Sequence, residues 1–256
     1  MRYVELSARS AFSFLEAASA PEALVEEAAR LELPALALSD VDGVYGAPRF
    51  HKAAQAAGVR PLVGAALTLA DGPRLPLLVE SRAGYRALGR LITRVKARAP
   101  KGQARATWDD LDGTVEGLIC LTGGLDGPLA PELLAGRRDA ARATLERLVR
   151  CFGRDRVYVE LQRHGTRESE LMTRRAMALA RDTRLLVVAT GGVRHATPGE
   201  RPIFDVLTAI RLRTPLDALG RRLSPNAERH LRAPAEMARR FADLPQALAA
   251  TGAIAA

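Results

Sequence analysis

At 256 residues, with 48% hydrophobic and 26% charged side chains, the chain is long enough to bury a sizeable core as one α/β barrel or as two smaller domains. Thirty-eight basic against 29 acidic residues leave a formal charge of +9, carried almost wholly by arginine, a balance that suits a nucleic-acid partner or reflects base composition alone. Two cysteines, Cys120 and Cys151, exclude a disulfide framework and a zinc ribbon, and no apolar leader or run of about 18 apolar residues supports secretion or a membrane span, so a cytoplasmic location is expected.

In chain order, Tyr3-Val4-Glu5-Leu6 predicts a short strand. Ser19-Ala20-Pro21-Glu22 supplies an N-cap serine, an early proline and a Glu at N3, which predicts a helix from Pro21 to Leu31. Leu36-Ala37-Leu38-Ser39 reads as a buried strand running into the acidic turn Asp40-Val41-Asp42-Gly43. An alanine-rich helix from Ala47 to Ala57 follows, ending at Gly58 as a C-cap. Apolar runs from Pro61 to Leu69 and from Leu75 to Val79 flank the turn Asp71-Gly72-Pro73, and a helix over Ala83 to Arg98 comes next.

Further strands are predicted at Gly117–Thr122, stopped by Gly123-Gly124, at Val157–Leu161 and at Leu185–Thr190, with helices over Arg138–Cys151 and Arg167–Asp182 between them. About seven continuous apolar strands, most of them separated by helices, predict an α/β fold with a parallel barrel preferred. From Pro198 onward the sequence is helical and amphipathic, broken at Leu223-Ser224-Pro225-Asn226, and its mid-helix composition at Ala256 is that expected of a fragment. Nine arginines between Arg201 and Arg240 face Asp205, Asp217, Glu228 and Glu236, a net +5, as either basic binding surface or solvated helix faces.

Four histidines, His51, His164, His195 and His230, are a thin supply for a multinuclear metal centre, which needs several imidazoles and carboxylates aimed at one point. The pairs Gly123-Gly124 and Gly191-Gly192 either cradle phosphate or turn the chain, the latter being the commoner role.

Phe12-Ser13-Phe14-Leu15, Asp42-Gly43-Val44-Tyr45-Gly46, Gly84-Tyr85-Arg86 with Leu91-Ile92-Thr93-Arg94, and Glu160-Leu161-Gln162-Arg163-His164 resemble the PHP domain (polymerase and histidinol phosphatase) of bacterial C-family DNA polymerase alpha subunits. Asp205-Val206-Leu207-Thr208-Ala209-Ile210-Arg211, followed by Asn226-Ala227-Glu228-Arg229-His230-Leu231, is similar to their error-prone branch. The resemblance implies a distorted (β/α)7 TIM-like barrel over residues 1–197 and a basic helical extension over 198–256 that leads toward a polymerase palm absent from this sequence. It implies as partners that catalytic portion of an alpha-type subunit and, through the complex, DNA. For the parent protein it implies synthesis across damaged templates.

Carried over residue by residue, the family's metal motifs are depleted. H-x-H falls on Ser7-Ala8-Arg9, T-D-H-D on Ser39-Asp40-Val41-Asp42, G-A-E on Gly64-Ala65-Ala66, and A-T-N-D-V-H-Y on Ala189-Thr190-Gly191-Gly192-Val193-Arg194-His195. Ser7, Arg9, Val41, Ala66, Gly192 and Arg194 thus stand at former ligand positions, and Glu16, Asp40 and His164 are the vestigial candidates. Any metal retained would be a weakly held zinc, manganese or magnesium ion. His195 is one position from a lost ligand, and strand alternation points it away unless a bulge intervenes.

Arg9 and Arg194 cannot ligate a cation. With Glu16 and Asp40 they form ion pairs that fill the cavity, or they bind an anion. Three functions follow: a non-catalytic module of an error-prone polymerase, a residual metal-dependent phosphoesterase or 3′–5′ exonuclease, or a stand-alone phosphate- or nucleic-acid-binding module. A residual metal enzyme requires Glu16, Asp40 and His164 to converge within about 5 Å of one point.

Overall fold

The computed structural model describes residues 3–256, and its seven strands form one sheet in sequence order. They are β1 (Glu5–Ala8), β2 (Ala35–Val41), β3 (Arg60–Thr68), β4 (Arg74–Val79), β5 (Leu118–Leu121), β6 (Val157–Gln162) and β7 (Val187–Thr190). All pairings are parallel except those of β4, which is antiparallel to both neighbours. The sheet closes on itself just beyond β7, where Val193 bridges Ala8; the Val193 N–H donates to the Ser7 carbonyl at 2.8 Å and the Arg9 N–H to the Val193 carbonyl at 3.1 Å.

The expected distorted barrel is therefore present, and the distortion has a local cause. A parallel crossover needs a dozen or more residues, whereas Asp71-Gly72-Pro73 joins β3 to β4 with a tight turn, so β4 must reverse. Reversal brings the first residue of β4, Arg74, to the end of the barrel where the parallel strands finish.

Around the sheet lie α1 (Pro21–Arg30), α2 (Ala47–Ala56), α3 (Arg82–Ala97), α4 (Trp108–Leu111), α5 (Ala130–Leu134), α6 (Arg138–Phe152) and α7 (Arg167–Thr183). The segment from 198 onward carries α8 (Arg201–Leu212), α9 (Pro234–Arg240) and α10 (Pro245–Ala255). The predicted strands and long helices are all found, with shifted ends. β7 starts two residues late because Arg184 turns left-handed at φ +54° and Leu186 is left exposed. The short helices α4 and α5 were not anticipated, since four or five residues carry too little periodicity to read.

Gly58 stands just past α2 at φ +69°, and the Val59 N–H reaches back to the Ala54 carbonyl at 3.0 Å, as a glycine-terminated helix requires. Ser19 does not cap α1. The N-cap is Ala20, and no side chain bonds there. The Ser19 hydroxyl instead donates to Glu200 at 2.9 Å and accepts from the Ala196 N–H at 2.6 Å, so a long-range contact has taken the side chain that local sequence assigned to the helix.

Two apolar clusters divide the core. Leu6, Ala37, Leu78, Leu121 and Val188 come from five different strands and meet, which is possible only inside the barrel, and Val4 just before β1 and Ala255 of α10 join them. The larger cluster lies between sheet and helices and includes Leu36 and Leu38 of β2. Because side chains alternate along a strand, Asp40 falls on the helix-facing side of β2 with Leu36 and Leu38, while Ser39 shares the interior face with Ala37.

Gly84, in the first turn of α3, tests the helix-to-sheet packing. A Cβ added there would lie 1.9 Å from the Gly117 carbonyl oxygen. Gly84→Ala is expected to destabilise the fold by about 2 kcal/mol, as overpacking against rigid backbone does, and chemical denaturation reads it. An unchanged midpoint would mean that α3 moves off the sheet without loss.

Candidate functional site

The mouth of the barrel is a network of arginines and carboxylates delivered by successive strand ends. Arg9 follows β1, Arg74 begins β4, Asp126 lies in the turn after β5, Arg194 follows β7, and Arg229 comes from the segment between α8 and α9. Asp126 is the hub: it pairs closely with Arg194, accepts from Arg229 at 3.1 Å and stands 3.9 Å from Arg9. Burial alone would raise its pKa, but Arg229, Arg194 and Arg9 outweigh burial and hold the carboxyl well below the usual carboxylate range. Arg194, buried and beside Arg9, is brought down to about 9 and still carries its charge at neutral pH.

Glu16 closes a second loop of the network. Arg74 donates to it at 2.6 Å, Arg9 lies 3.8 Å away, and Arg74 also reaches Asp42 at 3.6 Å. Asp42 in turn accepts from the Thr68 N–H at 2.7 Å and from its hydroxyl at 2.5 Å. The Nη1 of Arg9 is buried without a hydrogen-bond partner among the described residues.

The three vestigial candidates do not form one cluster. Glu16 and His164 line the same cleft, together with Arg194. Asp40 serves the loop after β1 instead: its two oxygens accept from the Ser10 N–H at 2.7 Å, the Ser10 hydroxyl at 2.8 Å and the Ser13 hydroxyl at 2.7 Å. His164 bonds the Gly191 carbonyl through Nε2 at 2.9 Å, which fixes the proton on Nε2 and leaves Nδ1 as an acceptor. Burial first, and then Arg229, push its pKa down to about 3, so the ring is neutral at any physiological pH.

The positions matched to lost ligands are occupied by other structure. Ser7 and Ala66 use backbone carbonyls, accepting from Val193 and Asp42 respectively, and the Val41 N–H donates to the Ser13 hydroxyl at 3.1 Å. Gly192 sits at φ +57°, and a Cβ there would meet the Gln162 amide oxygen at 2.6 Å. The Gln162 amide lies equally close to Gly124, at φ +54°, and is itself anchored by donation to Glu160 at 2.7 Å. The paired glycines do not cradle an anion, because the Gly123 and Gly191 N–H groups each donate at 2.8 Å to a buried carboxylate, Glu160 and Glu5.

His195 lies outside the network. Its Nδ1 donates to the Thr197 carbonyl at 2.8 Å, and its ring stacks on His230 with centroids 6.4 Å apart.

Among the described residues, no three His, Cys, Asp or Glu side chains stand together so as to hold a metal ion. The donors also do not fit one as they stand, since Glu16 and Asp126 are neutralised by arginine and Asp40 is consumed by three serine donors. Sequence reading missed Arg74, Asp126 and Arg229. Asp126 carries a legible signal, a lone acid in the glycine-rich turn after a strand, whereas Arg74 and Arg229 depend on the reversal of β4 and on how the C-terminal segment returns to the mouth.

Comparison with known proteins places this geometry in context. The PHP domain family matches over residues 5–164. An error-prone DNA polymerase of Mycolicibacterium paratuberculosis is 43% identical over 260 residues, covering 97% of this chain but 24% of that protein. One from Anaeromyxobacter sp. (strain K) is 39% identical over 268 residues, 99% of this chain and 22% of its own. The chain thus spans about a quarter of the length of the curated relatives it matches. Among solved structures, an amidohydrolase from Chromobacterium violaceum superposes with a TM-score of 0.51 at 15% identity, over 77% of this chain and 89% of that one, a likeness of fold.

Proposed function

The chain belongs to the PHP domain family, and from that membership we propose that it is a structural, non-catalytic module of an error-prone DNA polymerase. The observation that carries the reading is Asp126 shared among Arg9, Arg194 and Arg229, an ion-paired, arginine-rich plug at the end of the barrel where sites are usually built. Three clustered guanidinium groups repel a divalent cation, and the one carboxylate between them is already neutralised. A polymerase module without hydrolytic chemistry of its own is consistent with low fidelity.

In this reading residues 1–197 form the barrel and 198–256 form the connection toward the polymerase palm. Ile203, Val206 and Ile210 on one side of α8 are 52%, 46% and 56% exposed, spaced as an apolar stripe along a helix face. That stripe is the surface offered to the catalytic portion, and DNA is met through the assembled polymerase. A cytoplasmic location goes with that role.

Elemental analysis of the purified chain, paired with a 3′–5′ exonuclease assay under manganese and zinc, tests the reading. Substoichiometric metal and no cleavage are expected. Stoichiometric metal that is lost in both Glu16→Ala and His164→Ala would overturn it and restore a residual phosphoesterase, since those two side chains do share the cleft.

A further inference from the structure

Between the barrel mouth and the C-terminal segment lies a cleft of about 300 Å³. One wall is the barrel, with Asp126, His164 and Arg194; the other is the extension, with Arg211 from α8 and Arg222 and Arg229 from the segment that follows it. The second wall is fixed in place. The Asn226 amide donates to the His164 carbonyl at 2.6 Å, the Arg194 N–H donates to the Arg229 carbonyl at 2.8 Å, and the Arg201 guanidinium holds the Ser224 carbonyl.

The charges in this cleft do not cancel. Glu16 and Asp126 are taken up by Arg74, Arg9, Arg194 and Arg229, while Arg211 and Arg222 have no acidic partner within ion-pair distance among the described residues. Glu168 is the one carboxylate of the lining with no arginine on it, and it is exposed. Counting Arg9 and Arg74 behind the wall, six guanidinium groups stand against the carboxylates Glu16, Asp42, Asp126 and Glu168. The buried Nη1 of Arg9 makes no hydrogen bond among the described residues, its two carboxylate neighbours Glu16 and Asp126 standing 3.8 and 3.9 Å away.

We propose that this cleft is a metal-independent phosphate site, in which Arg211 and Arg222, the two arginines of the lining that pair with no carboxylate among the described residues, hold a phosphate group of a nucleotide or of a DNA strand against the barrel mouth. Guanidinium groups suit that ligand because their paired N–H donors match phosphate oxygens and keep their charge at every physiological pH. The site differs from the Arg9–Arg194 pair expected from sequence, because those two side chains are already committed to Asp126. It rests on the metal-free reading of the mouth given above.

The test measures binding of inorganic pyrophosphate and of a deoxynucleoside triphosphate by calorimetry, and of a fluorescein-labelled single-stranded oligonucleotide by anisotropy, all in EDTA. The variant is Arg211→Ala with Arg222→Ala, two exposed side chains whose removal breaks no ion pair. Saturable binding is expected for at least one probe, weakened tenfold or more in the double variant. If the oligonucleotide is the ligand, the slope of log affinity against log salt should also fall by about 1.4 for two lost phosphate contacts on a single strand. Binding of the small phosphates alone assigns the site to free nucleotide; binding of the oligonucleotide alone assigns it to DNA.

No saturable binding by any probe overturns the phosphate site and leaves the structural module standing. Binding unchanged in the double variant places the affinity elsewhere on the basic surface and also overturns the site. Binding that appears only on addition of manganese overturns both this inference and the metal-free reading.

Discussion

Asp126→Ala is expected to cost about 3 kcal/mol of folding stability, the low end of what breaking a buried ion pair costs, because Asp126 is itself 32% exposed while Arg9 and Arg194 are nearly buried. The loss comes less from the missing attraction than from three arginines left facing one another without their shared counter-charge. Urea denaturation at neutral pH measures it. Asp126→Asn, which keeps the shape and an acceptor oxygen, should lose nearly as much, since the charge is what the arginines require.

The same carboxylate sets an acid limb. Its folded pKa is depressed, so its contribution is fully present above the ordinary carboxylate value, about 3.9, and is lost as pH falls from there toward the folded value. The difference in stability between the native chain and Asp126→Asn should therefore be constant from pH 7 to about 5 and shrink below about 4. A variant within 1 kcal/mol of the native chain would mean that the arginines find solvent or another anion, and that the network does not hold the mouth together.

Asp40→Ala is expected to cost about 2 to 3 kcal/mol, because it strips a buried loop of three hydrogen-bond acceptances and leaves the Ser10 N–H and two hydroxyls without a partner. The informative comparison is Asp40→Asn. A carboxylate that holds a metal is not replaced by an amide, whereas a carboxylate that caps a loop is replaced in part, since the serine hydroxyls rotate to suit either group. Asn should recover more than half of the alanine loss, with metal content indifferent to both changes. Asn no better than Ala would sink the capping role.

The pH signature of Asp40 opposes that of Asp126. Burial raises the Asp40 pKa despite the donors Ser13 and Ser10 and the nearby charge of Arg9. A carboxyl with a raised folded pKa stabilises the fold below its unfolded value and loses that contribution as pH rises through the folded one. Relative to Asp40→Asn, the native chain should gain stability as pH is lowered from neutral toward about 4.

Much of the fold was legible because its strands are short apolar runs punctuated by glycine, proline and acidic turns, signals that act over a few residues. What was not legible is direction and long-range choice. Leu75–Val79 was readable as a strand, but nothing in its pattern says that it runs backwards, and Arg74 reaches the mouth only because it does. Ser19 carries every local mark of an N-cap and was claimed by Glu200 and Ala196, far along the chain. Asp40 was readable as buried and acidic, and its face on β2 decides between the helix layer and the cleft. The arginine excess in the last sixty or so residues was visible as composition, while its return to the barrel mouth through Asn226 and Arg229 is a matter of tertiary packing.

The wedge of Gln162 between Gly124 and Gly192 makes the order of any rebuilding matter. Both glycines are left-handed, and the amide lies within 2.6 Å of where a Cβ would stand at either. A new side chain at one of these positions, introduced alone, is a collision, and shortening Gln162 alone opens a void and strands the hydrogen bonds that Glu160 and Thr190 make to it. Two changes that are each harmful first must be made together before a third can aim a donor group into the mouth. The present arrangement is thus easy to keep and hard to leave by single steps, a ratchet set by the packing of one amide.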